Sequence, residues 1–545
     1  DHRDLHSFPT RRSSDLGSGL GAQLQKLIPV PHYMALASLD VWARLLFSRR
    51  APVQVAYLPR LAVNLFTSYF GTIVALPERL LLGPLLFFKF RSRAPRVEHA
   101  PGTLVVLGYF RSGTTHLQYL LSCDPRFKTP IWAQSILPHG WGLCWTLARF
   151  ALTPFISNSR PQDDVALGPA WPAEDDFGVS NMCLASAMPG RFMMPKQEGH
   201  YARFHTLEGL TERELVRWRR AQASLLWKIT RFAGGRVLLL KSPSHTARVA
   251  ELRAMLGENV KFVHITREPH DVVKSNVSMY ERLSIYHMQD APPLEESREG
   301  IIREYLRTEE KFLEESADLP ADRLCRIRYQ DLIADPEGTV RAIYDRLGME
   351  LSDEALDAMR MYLHRVRAYR TASQKQPKES TPEPRDARLE ALAATFDHAR
   401  PAVAKVLPQE PRDIGTSERR RRAAWLVAPV VTAVVMAAWF LIAVQTRNRL
   451  DSLSWIAGAV IGWSAIRTAG IGTPRLGIFC AALTLAALVG VSGPITVHAL
   501  HWTGPDFWRS LRDGFDDLTP WMYLTFGMFT AYRFASRKQV RPPGL

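Results

Sequence analysis

The stretch Leu104-Val-Val-Leu-Gly-Tyr-Phe-Arg-Ser-Gly-Thr-Thr-His-Leu-Gln-Tyr-Leu-Leu121 constrains the fold more than any other. Its apolar start, with β-branched Val105 and Val106, predicts a buried strand. Gly108 ends that strand, and Gly113 permits a tight turn. Thr114 and Thr115 open an apolar helical run containing Leu117, Leu120 and Leu121. A strand, a glycine-bearing loop and a helix N-terminus together offer backbone N–H groups and the positive end of a helix dipole, which suits a phosphate. The spacing from Gly108 to Gly113 fits the loop of nucleoside triphosphatases, G-x-x-x-x-G-K-S/T. Thr114, however, stands where that loop needs its Lys, and the nearest cation, Arg111, lies inside the loop. A lone match of this kind also fits a plain core strand turning into a helix, so its meaning depends on partners downstream.

At 545 residues the chain has room for two or three domains. Its formal net charge of +16 suits a polyanion: nucleic acid, an anionic membrane face or a polyphosphorylated cofactor. Arg clusters beside apolar spans favour the membrane. No zinc-finger or RNA-binding signature is present, so nucleic acid is not an expected partner. The five Cys (Cys123, Cys144, Cys183, Cys325 and Cys480) are odd in number and form no C-x-x-C pair. Neither a disulfide framework nor a zinc site is expected, and a reducing compartment fits.

Residues 1–16 have no apolar core of the signal-peptide kind and read as non-native, adapter-derived sequence. Residues 17–95 are apolar and aromatic with scattered Arg. Within them Leu61–Pro77 and Leu80–Phe88 are separate apolar runs, each short of the ~20 residues a span needs. They read either as interfacial helices lying on a membrane or framing an acceptor entrance, or as core helices capping the next domain. Residues 96–412 alternate strands and helices: strands at Gly235–Lys241, Lys261–Arg267 and Leu324–Tyr329, helices at Thr246–Leu256, about His270–Leu283, Glu296–Glu315 and Glu337–Leu347, and a loop-rich insert over 122–200. This pattern predicts an α/β fold with a three-layer parallel sheet, whose ligands bind at the carboxyl ends of the strands. Residues 371–388 read as a linker.

Residues 413–545 change character. Ala423–Val444 runs for 22 residues without a charge, after Arg419-Arg-Arg-Arg422. That is a transmembrane signal, Leu476–Val497 is a second, and Leu453–Ile466 and Trp521–Tyr532 are shorter candidates. Four spans would place Arg419–Arg422, Arg467, Arg475, Arg533, Arg537 and Lys538 on one side and the acidic loop around Asp506, Asp513, Asp516 and Asp517 on the other. The positive-inside rule then expects a multi-pass protein with its catalytic domain facing the cytoplasm, although Arg447 and Arg449 in an outer loop run against it.

Gly108-Tyr-Phe-Arg-Ser-Gly-Thr-Thr115 closely resembles the 5′-phosphosulfate loop of sulfotransferases, which binds 3′-phosphoadenosine 5′-phosphosulfate (PAPS). Soluble members usually have Lys at the position of Arg111; a bacterial-type branch commonly has Arg. Three further stretches are similar to family elements, and together they cover about residues 100–350. Leu239-Leu-Lys-Ser-Pro-Ser-His-Thr-Ala-Arg248 resembles the K-S-P-x-H element, which implies that Lys241 contacts the bridging oxygen of the leaving phosphate and His245 is the base. Phe262-Val-His-Ile-Thr-Arg-Glu-Pro-His-Asp-Val-Val-Lys-Ser275 resembles the 3′-phosphate element, implying that Arg267 and Ser275 bracket that phosphate. Arg328-Tyr-Gln-Asp-Leu-Ile-Ala-Asp-Pro336 resembles a Y-E-D-L turn, implying Tyr329 near the adenine. Arg160-Pro-Gln-Asp-Asp164 and Pro172-Ala-Glu-Asp-Asp-Phe177 resemble the R-P-x-D and E-D-E-F elements, which makes Glu174 a rival base and puts Glu174, Asp175 or Asp176 in the acceptor site. Asp176 departs from the commoner Glu. The C-terminal basic-glycine element is not recognisable; Lys375 and Lys378 could stand in for it, and fit a solvated linker equally.

The resemblance implies a P-loop-like sulfotransferase fold with an added α-helical C-terminal transmembrane domain. The implied reaction is transfer of a sulfuryl group from PAPS to a hydroxyl acceptor, small molecule or lipid, with no metal. Ser112, Gly113, Thr114 and Thr115 would cradle the 5′-phosphate, and Arg111 and Lys241 would neutralise charge on the leaving oxygen. Each residue has a plain reading too: a solvated Lys241, a capping His245, an Arg267 ion pair, a polar helix position at Ser275, a solvated acidic loop at 174–176. Two other functions compete. A nucleotide kinase would need ATP and magnesium, and an inactive membrane scaffold would bind nucleotide without turnover.

Overall fold

The computed structural model describes residues 33–48, 53–143, 168–373, 386–397, 418–446, 453–469, 474–500 and 518–535. The segment 1–16, Arg160–Asp164, Lys375, Lys378, the 506–517 acidic loop, Arg447, Arg449, Arg537 and Lys538 lie outside the described residues.

Helices α1 (Leu39–Leu46) and α2 (Leu58–Lys89) precede strand β1 (Thr103–Leu107), whose chain continues into α3 (Thr114–Leu121). Then follow β2 (Phe127–Lys128), α4 (Asp175–Cys183), α5 (Glu212–Arg231), β3 (Val237–Lys241), a 3₁₀ turn (Pro243–Ala247) and α6 (Val249–Leu256). Next come β4 (Val260–Thr266), α7 (Pro269–Leu283), α8 (Leu294–Ser316), β5 (Leu324–Arg328) and α9 (Tyr329–Ala334). The strands form one five-stranded sheet in the order β2-β3-β1-β4-β5, and every pairing is parallel. β1 and β4 are buried almost throughout, as a sheet covered on both faces requires. β1 lies between β3 and β4, so the crossovers leave β1 in opposite directions and open a crevice at its carboxyl end. The register pairs Val106 with Lys241 and Leu107 with His264, bringing the ends of three strands to one edge.

The strands and helices predicted after residue 235 occur within a few residues of their expected bounds. The helix expected from Thr246 instead begins at Val249, because Pro243–Ala247 winds as a 3₁₀ turn. Tyr329 opens helix α9 rather than closing β5. One expectation is refined and one is overturned. The described part of the 122–200 insert is loop-rich as expected, but it is largely buried and carries short helices at Trp132–Ile136, α4, Met188–Phe192 and from Glu198 onward. The two short apolar runs of 61–88 are one 32-residue helix, α2. Glu78 and Arg79, which appear to break it in sequence, are neutralised by distant partners: Glu78 accepts from Lys228 at 2.7 Å, and Arg79 pairs with Asp40 of α1.

Among its described residues the C-terminal region holds four helices, α10 (Glu418–Thr446), α11 (Leu453–Ala469), α12 (Pro474–Leu500) and α13 (Leu518–Ala535), each containing one predicted apolar run. Small residues let them approach closely. A Cβ on Gly458 of α11 would stand 2.1 Å from the Gly527 carbonyl oxygen of α13, the kind of contact membrane helices use. Among the described residues two helices are long and apolar enough to cross a membrane, Val55–Lys89 and Ala423–Ile442.

Candidate active site

The loop after β1 needs its glycines. Gly108 has φ 144°, and a Cβ there would meet the Ile265 carbonyl oxygen at 2.6 Å. Gly113 has φ 101°, and its Cβ would stand 2.3 Å from the Tyr329 ring. Arg111 takes a left-handed φ of 70° without being glycine, a strain of about 1–3 kcal/mol. Tyr109 anchors the loop inward. Its ring stacks on Tyr305 at 4.7 Å, and its hydroxyl donates to Glu304 at 2.9 Å, where buried Arg191 also pairs. The Gly108 N–H donates to Thr246 Oγ1 at 2.7 Å, tying the loop to the 3₁₀ turn. Ser112 closes the loop on itself: both its N–H (3.2 Å) and its hydroxyl (2.6 Å) donate to the Tyr109 carbonyl. Helix α3 starts at Thr114, so its first-turn amides have no acceptor within the helix.

On one side of the loop Arg111, Arg267, Ser275 and Tyr329 converge from four elements. Arg111 Nε donates to Ser275 Oγ at 3.0 Å. Arg267 donates to the Arg111 carbonyl at 3.4 Å, and its guanidinium lies 5.0 Å from the Tyr329 ring centre. Glu268 caps α7 by accepting from the Asp271 N–H at 2.8 Å. The strand end therefore carries Arg267, and Ser275, two turns into the helix, faces the loop. All four side chains are half-buried.

The other side is dry. Three consecutive carboxylates at the start of α4 meet three basic side chains from the end of β3 and the β3–α6 connection in register. Glu174 accepts from Lys241 at 2.6 Å, Asp175 from His245 at 2.9 Å, and Asp176 from Arg248 at 2.9 Å. All six residues are buried. Lys241 also donates to Thr115 Oγ1 at 3.2 Å, which links the ladder to the phosphate-type loop. Burial alone would raise the Asp175 carboxyl, but the charge and hydrogen bond of His245, with Gln222 also donating, hold it below its ordinary value. Asp175 is therefore ionised, and His245 turns an Nε2–H toward it. Among the described residues, His245 Nδ1 and Glu174 Oε2 are buried atoms with no hydrogen-bond partner. Behind the turn, Ser244 bonds His205 Nδ1 at 3.1 Å, and burial pushes His205 down to about 4.

The site residues singled out from the sequence thus fall at one edge of the sheet, while Arg160–Asp164 and Lys375 and Lys378 lie outside the described residues. Sequence reading missed Tyr109, Glu304, Arg191, Thr246, Arg248 and Gln222, which act through long-range contacts. Only the i+7 spacing of Lys241 and Arg248 against adjacent acids hinted at the ladder. Cys123, Cys183, Cys325 and Cys480 are buried thiols.

Residues 102–353 match a family model described as the sulfotransferase family. The chain is 27% identical over 341 residues to an omega-hydroxy-beta-dihydromenaquinone-9 sulfotransferase of Mycobacterium tuberculosis, covering 62% of this chain and 84% of that protein, and equally to its Mycobacterium bovis counterpart. Among solved structures it is similar to a sulfotransferase of Mycobacterium avium (16% identity, 71% of this chain and 96% of that one, TM-score 0.47). A second is a sulfotransferase of Mycobacterium tuberculosis (18% identity, 63% and 91%, TM-score 0.43).

Proposed function

Starting from residues 102–353 as a sulfotransferase-family domain, we propose that the protein moves a sulfuryl group from PAPS to a lipid hydroxyl at a membrane. One observation carries this reading: the buried Glu174–Lys241 and Asp175–His245 pairs abut the phosphate-type loop through Thr115. The residues present fit PAPS, since the loop and the Arg111–Arg267–Ser275 cluster offer two cationic sites beside Tyr329. When bound, PAPS supplies an activated sulfuryl group whose bond to the bridging phosphate oxygen breaks as its bond to the acceptor oxygen forms.

The chain's own residues do the rest. Arg267 and Ser275 hold the 3′-phosphate, and Arg111, expected beside the leaving oxygen, joins them because its Nε donates to Ser275 Oγ. The Thr114 and Thr115 hydroxyls and the first-turn amides of α3 hold the 5′-phosphate. Lys241 supplies positive charge where the leaving oxygen becomes negative, and the dry surroundings strengthen that term. His245 takes the acceptor's hydroxyl proton at Nδ1, because Asp175 fixes the Nε2–H tautomer. Glu174, the rival base, is held against Lys241 at 2.6 Å. Its role is to position the lysine.

A lipid acceptor is supported by the relative whose name gives omega-hydroxy-beta-dihydromenaquinone-9 as its substrate. A cavity of about 350 Å³ lies among α2, α4 and α5, lined by Leu82, Leu86, Phe87, Phe90 and Met182 beside Glu78 and Arg220. Met182 is eight residues along α4 from Glu174, about 12 Å at helical rise. The C-terminal helices then form a multi-pass anchor, with the basic ends and the catalytic domain on the cytoplasmic side. The test is transfer of radiolabelled sulfur from PAPS into lipid extract by membranes holding the full chain, beside Lys241→Ala and His245→Gln. Label in a lipid fraction, lost in both variants, is expected. Absence of both label transfer and PAPS binding would overturn the reading.

A further inference from the structure

Helix α2 is inside-out for a helix on a water-soluble domain. Phe66, Tyr69, Ile73, Leu76, Leu80 and Phe88 are 40–66% exposed. At helical periodicity they share one face about 120° wide. The opposite face carries Arg60, Asn64, Ser68 and Glu78, and that is the face buried against the protein. From Leu58 to Phe88 the charged residues are Arg60, Glu78 and Arg79. The first two are buried, and Arg79 pairs with Asp40. A water-facing helix has the reverse arrangement, and an apolar stripe of this length marks a contact surface.

The polar face fastens α2 to the catalytic domain along its length. Arg60 donates to the Ser284 and His287 carbonyls, and Ser68 to the Ala35 carbonyl at 3.1 Å. Gly71 lies so close to Leu36 that a Cβ would stand 2.2 Å from its carbonyl oxygen. Glu78 accepts from Lys228 at 2.7 Å and from the Gly142 N–H at 2.6 Å. A helix tied to a polar domain from Arg60 to Glu78 cannot cross a bilayer without dragging that domain into hydrocarbon. Its length and apolar character therefore point to lying along a membrane. Beyond its C-terminal end Arg91 and Arg96 are exposed, as is Lys89 in its last turn, and these cations match anionic headgroups.

We propose that the outer face of α2 sits in the bilayer interface, seating the catalytic domain flat on the membrane by a contact separate from the C-terminal helices. This adds a partner surface to the function proposed above and requires nothing of the acceptor's identity. The test uses the full chain in vesicles of phosphatidylcholine and phosphatidylglycerol, with nitroxide labels at Phe66→Cys, Ile73→Cys and Leu80→Cys and a water-facing reference at Glu310→Cys. These positions are exposed, so the substitutions leave the packing intact. Expected at all three α2 sites is collision with dissolved oxygen several-fold above collision with a water-soluble nickel complex, with the opposite ratio at residue 310. Nickel access equal to that at residue 310 would overturn the proposal by placing α2 in water. Low access to both reagents would overturn it by placing protein, a second copy or the C-terminal helices, over that face. Sulfur transfer is not part of the readout, so failure here is distinct from failure of the proposed reaction.

Discussion

Arg111, Arg267, Ser275 and Tyr329 remain within reach of water, whereas Lys241, His245, Asp175 and Arg248, a few residues away across the same sheet edge, do not. The first group is assembled by single contacts of 3.0–3.4 Å between a loop, a strand end and a helix. The second is a ladder of three acid–base contacts at 2.6–2.9 Å, each side chain held by its opposite number. The open half suits an anion that must arrive and leave. The closed half suits charge that develops only during reaction, because fixed dipoles in a dry site stabilise it without reorganising.

The sharpest test of that contrast lies within the dry half. His245→Gln is expected to lower kcat by about 10²–10⁴-fold, the usual worth of a general base, while Glu174→Gln lowers it far less. Steady-state rates of sulfur transfer check this, and the reverse ranking would make Glu174 the base. Lys241→Ala should lower kcat by about 10²–10³-fold. Because Glu174 is then buried without its cation, unfolding should also become easier by about 3–5 kcal/mol; denaturant titration of Lys241→Ala against the Lys241→Ala/Glu174→Ala double variant separates the two effects.

In the open half the expected signature differs. Arg267→Ala should raise the KM for PAPS by about 10–100-fold with little change in kcat, since a charged hydrogen bond is worth about 1.5–3 kcal/mol. An equal fall in kcat would blur the division between the halves. The smallest effect concerns pH. His205, behind the dry turn, is held neutral down to about 4, chiefly by burial, with Arg248 and Arg191 reinforcing it against Glu304. The unfolded chain takes that proton near 6.5, so stability is lost as pH falls below about 6.5 and the loss levels off near 4. By pH 5.5 it amounts to about 1 kcal/mol. Melting curves from pH 7 to 5 should show this slope, and His205→Gln should flatten it.

The elements that sequence made legible are those whose causes are local. The Gly108–Thr115 loop is written in eight adjacent residues, Arg267 and Ser275 are legible through the resemblance of one strand-to-helix stretch to a family element, and the four described C-terminal helices follow from long uncharged runs. The β2 strand escaped because two residues carry no period. For the acids at 174–176 the sequence leaves an acceptor-site element and a solvated loop both open, and their pairing is not legible because the partners lie 67 to 72 residues away.

Sequence alone determined the strands and helices after residue 235 and the phosphate-type loop, because these depend on periodicity, glycine and near neighbours. Only tertiary structure decided which charges are buried in pairs and which face of a helix is out. Glu78 breaks an apolar run until Lys228, 150 residues on, neutralises it. Such pairing energy arises only once the sheet has brought distant segments together and excluded water from between them.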